Sequence, residues 1–408
     1  MKHIYLFNET SHGTVYGIGT YIRQLVSCLK DEEDTAFSIV HLHAGEKEFK
    51  TEKTPEGYSI YYFPCVQGET MTFNDRYYRN ILLILSPFIN INIKNHQNEQ
   101  LYFHLNSSSQ YPLIKLLKEK YPFSRILYTI HIQDWSFRKS ASYSEKKTNK
   151  EKKRISTLFE EEKRLYCEVD RIICLSKHTE KSLINEFHIP EDKISLIHNG
   201  LEDEAIFLSD EEKTGLKKQL FFSGQSRIIL FAGRLVKMKG VDILIDAFKL
   251  LLKDMPDSQL VIAGDGNFYT YLEKCKGLWQ KVTFAGRLNK DELYQFYRIA
   301  DMGVVCSVYE EFGYVALEMM MHRLPVIASD TGGLAEIVDD MVTGLKVPVR
   351  TVKKEHRADL AVLCDRMKWM LEHPEEAKEL GQQARKKFLK LYELSAWENK
   401  MLEIYNKP

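Results

Sequence analysis

Short apolar runs separated by amphipathic stretches set the pattern of the whole chain. Residues 2–7 form the first run. The segment that follows carries Gly13, Gly17 and Gly19, and residues 20–29 then bring apolar side chains round at helical spacing. Strand, glycine loop and helix in that order is how a doubly wound α/β domain opens. Further runs at 37–42, 101–105, 126–130 and 171–175 alternate with helical stretches and predict a parallel sheet. A second series starts at 227–233 and continues at 260–264, 282–286, 303–307, 325–329 and 345–349, with helices expected at 241–252 and 291–299. Between the two series, residues 202–226 are polar without a clear period and read as the region of an interdomain linker. The sequence Phe-Ala-Gly-Arg-Leu occurs at 231–235 and again at 284–288. Without wider self-similarity, this marks two strands that end alike rather than a repeat array.

Composition narrows the function classes. The 408 residues suit two or three domains, and 57 basic against 57 acidic side chains give no net charge. A broad nucleic-acid binder would carry a cationic excess, so nucleic acid is not an expected partner. The seven cysteines are odd in number and form no C-x-x-C pair, which predicts buried reduced thiols rather than a disulfide framework. Asn8 and Glu9 interrupt the first apolar run too early for a signal-peptide core, and Ser86, Pro87 and Asn90 interrupt the run at 81–93. The expectation is a cytoplasmic protein.

Two clusters carry candidate chemistry. In the first, Gly233-Arg234-Leu235 and Lys239-Gly240 bring an arginine fork and a lysine to the start of a helix expected at Val241. Guanidinium, ammonium and helix N-terminus are three independent ways to hold phosphate oxygens, although a solvated loop with two cations has the same composition. In the second, Glu310 stands ahead of a helix expected to begin near Gly313, with Glu318 more than a turn inside it. Two acids eight residues apart are usually a solvated face, but Phe312, Val315, Ala316 and Leu317 leave little room for one here.

With Glu310 and Glu318 in E-x-x-G-x-x-x-x-E spacing, the chain resembles the retaining glycosyltransferases of family 4. Gly233-Arg234-Leu235, Lys239-Gly240, Gly264-Asp265-Gly266, Gly332-Gly333 and Thr343-Gly344-Leu345 resemble further motifs of that family, most closely over residues 193–349. The resemblance implies the GT-B fold, with two Rossmann-like doubly wound domains facing a central cleft. The first would span residues 1–199 and bind the acceptor, with a C-terminal helix at about 391–408 packing back on it. The second, 200–390, would bind a nucleotide-diphosphate sugar. Arg234 and Lys239 would hold the diphosphate, Glu310 the sugar hydroxyls and Glu318 the ribose. Phe312, Gly313, Tyr314 and Val315 would line the donor site, with backbone amides of the last three offered to sugar or phosphate. Gly17 and Gly19 match the family's glycine loop over the diphosphate, His131 matches its histidine near the reacting sugar, and Asn199-Gly200 the pair where the chain crosses between domains.

The chain has no D-x-D triplet, so no metal or other cofactor is expected, and fixed cations would meet the leaving diphosphate instead. The implied reaction is transfer of the sugar to a glycan, lipid-linked glycan or peptide. Two other readings share these residues: an epimerase or hydrolase of the same fold, and a catalytically silent sugar-nucleotide sensor. Residues 136–154 hold eight basic side chains against Glu145 and Glu151. They read either as a solvated loop and helix start or as contact with an anionic acceptor or the inner membrane leaflet. Residues 77–93 are expected to be a buried helix.

Overall fold

A computed structural model describes residues 1–9, 17–65, 75–93, 99–141, 149–352 and 355–406. The chain divides into two compact units. One comprises residues 1–135, 153–199 and 397–408, and the other residues 136–152 and 200–396.

In the first unit the elements run β1 (Lys2–Glu9), α1 (Gly17–Lys30), β2 (Thr35–Ala44), β3 (Lys50–Lys53), β4 (Ser59–Pro64), α2 (Asp75–Asn92), β5 (Gln100–Leu105), α3 (Tyr111–Lys120), β6 (Arg125–Ile130), α4 (Asp134–Ala141, shared with the second unit), α5 (Asn149–Glu168), β7 (Arg171–Cys174), α6 (Lys177–Asn185) and β8 (Ile194–Leu196). Its sheet has the order β3-β4-β2-β1-β5-β6-β7-β8, parallel except for the β3–β4 pair. The winding turns back at β1, so right-handed crossovers place helices on both faces.

The second unit contains α7 (Asp210–Gln219), β9 (Arg227–Ala232), α8 (Val241–Leu251), β10 (Ser258–Ala263), α9 (Tyr269–Lys274), β11 (Val282–Gly286), α10 (Lys290–Ile299), β12 (Met302–Val305), α11 (Tyr314–Met321), β13 (Val326–Asp330), α12 (Leu334–Ile337), β14 (Leu345–Val352), β15 (Glu355–Ala358), α13 (Leu360–Glu372) and α14 (Pro374–Leu391). The order β11-β10-β9-β12-β13-β14-β15 is parallel apart from β14–β15 and turns back between β9 and β12. Continuous buried runs such as Ile228–Ala232 in β9 fit a sheet covered on both sides.

The final helix, α15 (Leu394–Asn406), begins in the second unit and passes into the first. There Trp397, Met401 and Tyr405 are buried. The Tyr405 hydroxyl meets His104 Nδ1 at 2.5 Å, and the Trp397 ring stands edge-on to Tyr21.

Four expectations need correction. The polar stretch 202–226 contains α7, started by a capping box in which Ser209 and Glu212 satisfy each other's backbone amides. Its helix has few apolar residues, so periodicity gave no signal, while the Ser-x-x-Glu start did. Gly17 and Gly19 lie in the first turn of α1 rather than in a loop, and Gly13 lies outside the described residues. All seven cysteines are free, but Cys65 and Cys167 are exposed rather than buried. Helix α2 buries one face only, leaving Leu83 and Ile91 exposed. Of the basic segment, residues 142–148 lie outside the described part; Lys150, Lys152, Lys153 and Arg154 are exposed at the start of α5.

Candidate functional site

In the second unit the winding turns back between β9 and β12, and the loops that follow their carboxyl ends meet there. The loop after β9 holds Arg234 and Lys239, and the loop after β12 holds Glu310. Glycines let these loops close on one another. Gly264 lies so close to Gly233 that a Cβ would stand 1.8 Å from the Gly233 carbonyl oxygen, and Leu235 N–H donates to Asp265 O. Gly240, at φ +70°, passes the Cys306 carbonyl where a Cβ would stand at 2.2 Å, and Val308 N–H donates to Met238 O. The two loops are thereby locked together. Lys239 Nζ consequently reaches Glu310 Oε2 at 2.5 Å, with both groups half-buried.

The Glu310 loop is shaped from below by Gly332 and Gly333. Gly333 N–H donates to Glu310 O, and a Cβ on Gly332 would stand 2.1 Å from the same oxygen. Gly313, at φ +117°, caps α11, whose own bonds begin only with Ala316 N–H donating to Gly313 O. The amides of Tyr314 and Val315 thus fall in the first turn, where a helix has no internal acceptor for them. The Phe312 side chain is buried against Tyr314 and Tyr392, so that residue packs the loop with its ring. Arg234 is exposed at the rim.

Glu318 is half-buried on α11 and accepts a 2.7 Å hydrogen bond at Oε2 from the Tyr297 hydroxyl of α10. Desolvation pushes its carboxyl up to about 7, against the lowering effect of that bond. Sequence reasoning missed Tyr297, whose helix has no motif pointing across to Glu318. It also missed Tyr309, whose hydroxyl holds the buried Glu311 at 2.9 Å. Among the described residues no group of three or more His, Cys, Asp or Glu is placed to hold a metal ion.

In the first unit His131 follows β6, and its Nε2 lies 3.0 Å from Asn106 Oδ1. Asn106 Nδ2 donates to Phe7 O, which identifies Oδ1 as the acceptor and puts the imidazole proton on Nε2. The Tyr21 ring stands edge-on at 4.7 Å. Burial lowers the His131 pKa to about 3, so the ring is neutral and keeps an acceptor at Nδ1. Beneath it the Tyr21 hydroxyl, Thr129, His104 and Tyr405 form one buried polar chain. Gly17 and Gly19 open α1.

Two doubly wound sheets, the second carrying cations and carboxylates at its switch point, are the GT-B architecture. Sucrose-phosphate synthase from Thermosynechococcus elongatus superposes with a TM-score of 0.76 at 22% identity, covering 100% of this chain and 98% of that one. Anabaena HepE in complex with UDP-glucose superposes with a TM-score of 0.73 at 15% identity, covering 99% of each chain. Residues 15–205 match Glycosyltransferase Family 4, and residues 212–387 match Glycosyl transferases group 1. The chain belongs to this family of glycosyltransferases. An uncharacterized glycosyltransferase of Methanocaldococcus jannaschii is 40% identical over 182 residues, 43% of this chain and 46% of that protein. A D-inositol 3-phosphate glycosyltransferase of Mycolicibacterium gilvum is 32% identical over 194 residues, 46% of this chain and 42% of that protein. The chain spans about half the length of the curated relatives it matches.

Proposed function

We propose that the protein is a retaining, metal-independent glycosyltransferase that moves a sugar from a nucleotide diphosphate to a glycan, lipid-linked glycan or peptide. The observation that carries this reading is the Lys239–Glu310 pair at the mouth of α11, with Arg234 on the same loop as Lys239. A diphosphate set against Lys239, Arg234 and the first amides of α11 meets positive charge from three sources. Glu310 then faces sugar hydroxyls and Glu318 the ribose diol. As the C1–O bond to the diphosphate breaks, negative charge grows on the leaving oxygens, and fixed cations stabilise that state more than the bound donor. The acceptor oxygen bonds to C1 on the face the diphosphate leaves, and its proton passes to the departing phosphate oxygen. His131, neutral at physiological pH, acts as a hydrogen-bond acceptor that positions a hydroxyl. No divalent ion is required in this scheme, because arginine and lysine supply the counter-charge.

The donor is a nucleotide-diphosphate sugar. HepE was solved with UDP-glucose, which makes that compound the first to try. Full-length protein titrated with UDP-glucose and other nucleotide sugars is expected to gain thermal stability with at least one, by about 2.7 kcal/mol at 100 times its Kd. Transfer to acceptor should survive EDTA and give a product of unchanged anomeric configuration by NMR. Lys239→Gln and Arg234→Gln should each lower kcat/KM roughly 10- to 100-fold, since each removes a charged hydrogen bond of about 1.5–3 kcal/mol. Donor turnover without acceptor would mark a hydrolase or epimerase, and donor binding with no turnover a sensor.

The basic start of α5 is proposed to contact anionic lipid at the inner face of the membrane of a cytoplasmic enzyme. Among the described residues no helix is long and apolar enough to cross a membrane. Salt-sensitive co-sedimentation with anionic but not neutral liposomes is the expected result; equal recovery with both would remove the contact.

A further inference from the structure

The second unit holds a cavity of about 440 Å³ at the amino ends of the central strands, opposite the candidate donor site. Its lining includes Arg227, which begins β9, Asp301, which precedes β12, and Pro325, which precedes β13. These are amino ends of parallel strands, whereas Arg234, Lys239 and Glu310 follow the carboxyl ends of the same sheet.

The chemistry of this cavity is specific. Asp301 is engaged by Lys213 at 3.6 Å, by Lys217 at 3.4 Å and by the Ile228 amide. Arg298, Arg323 and Lys378 also line the wall and form no salt bridge among the described residues. Arg323 lies over the Phe207 ring at 3.7 Å and has a left-handed backbone, φ 58°, a conformation that costs a bulky residue about 1 kcal/mol or more. That turn is clasped by α14 at Gly381, where a Cβ would stand 2.1 Å from the Arg323 carbonyl oxygen. Two buried polar atoms of lining residues lack a hydrogen-bond partner, Arg298 Nε and His322 Nε2. Burial, aided by the nearby Arg298 and Arg385, lowers the His322 pKa to about 4, and its Nδ1–H donates to Glu318 O. Nε2 is therefore a buried acceptor without a partner, its ring packed against Tyr294 and Tyr297.

The same wall holds Glu318 twice. Tyr297, which lines the cavity, donates to the Glu318 carboxylate, and His322 donates to the Glu318 carbonyl. We propose that this cavity is a second binding site for a small phosphorylated polyol of hexose phosphate size, and that its occupancy alters donor binding through Tyr297, His322 and Glu318. Phosphate oxygens meet Arg298, Arg323 and Lys378. The volume lies within the range of small-molecule sites, about 300–1,000 Å³. The coupling half of the proposal rests on Glu318 binding the donor ribose; the binding half does not.

The test uses the full chain and calorimetry, with glucose 6-phosphate as probe and glucose and inorganic phosphate as controls. Glucose 6-phosphate is expected to bind more tightly than either control and to shift the Kd for UDP-glucose about 5-fold or more, with the reciprocal shift in its own affinity. Arg323→Gln and Lys378→Gln should each weaken glucose 6-phosphate binding about tenfold while leaving UDP-glucose affinity measured alone unchanged. Tyr297→Phe should keep glucose 6-phosphate binding and abolish the shift. Failure of glucose 6-phosphate to bind, equal binding of inorganic phosphate, direct competition with UDP-glucose or indifference to Arg323→Gln would each overturn the proposal. Failure of every nucleotide sugar to bind would instead strike the donor reading, because glucose 6-phosphate binding and its loss in Arg323→Gln are measured without donor.

Discussion

Two kinds of buried titratable group govern how individual residues respond to pH. His131 and His104 are both lowered to about 3, chiefly by desolvation. His131 is therefore neutral at physiological pH, its one ring proton committed to Asn106. Any inflection of the transfer rate near pH 7 should belong to Glu318, surviving in His131→Ala and vanishing in Glu318→Gln. His131→Ala should lower kcat with donor Kd unchanged; near-normal transfer in that variant removes its role. Glu162 shows the opposite case. It is buried beneath Trp135 and Tyr166, which hydrogen-bond its two oxygens, and burial together with Asp134 pushes it up to about 8. A carboxyl raised in the folded state contributes its stability fully below about pH 4.5, and that contribution is lost as pH rises to about 8. Melting temperature measured from pH 5 to 8 should thus fall for the native chain relative to Glu162→Gln, with the variant gaining on it at each step. The sequence carried Arg234, Lys239, Glu310 and Glu318 openly, because their spacing along one chain segment is itself the signal. Tyr297 and the His104–Thr129–Tyr405 chain were hidden, since their partners stand up to 301 residues away.

Among the elements, buried apolar strands were legible even when only four residues long, as β7 and β12 are, and exposed ones were not. β9 and β10 announce themselves by the apolar runs Ile228–Ala232 and Leu260–Ala263, whereas β3, Lys50–Lys53, is exposed throughout and takes its place by pairing with β4. Pairing is a tertiary fact that local pattern cannot carry. Glycines at loop crossings were visible as residues but not as contacts. Gly240 is the sharpest case, since it combines a left-handed backbone with close approach to Cys306. Gly240→Ala must strain the backbone and push the Lys239 loop off β12, at a cost of about 3 kcal/mol. Urea denaturation should show that loss, and donor affinity should fall with it because Lys239 and Glu310 lose register. An unchanged midpoint and unchanged affinity would show that the loop can yield without penalty.

At the scale of the whole molecule, the chain leaves the first unit at Asn199 and re-enters it at Trp397. Trp397, Met401 and Tyr405 then complete a core laid down by Tyr21, Tyr102 and His104. Removing residues 394–408 should open that core to water. The first unit should then melt about 10 °C or more lower, because several buried large side chains, each worth about 2–5 kcal/mol, are lost together. An unaltered thermal profile would show that α15 adds nothing to that unit. This return path also sets an order of assembly on the ribosome. Although its first strand is made first, the amino-terminal unit stays unfinished until residue 405 has emerged, some two hundred residues after its last preceding segment. The stretch 200–396 is nearly all of the other unit and is synthesised without interruption. The part made second can close first, while the earlier half waits, partly open, within reach of chaperones.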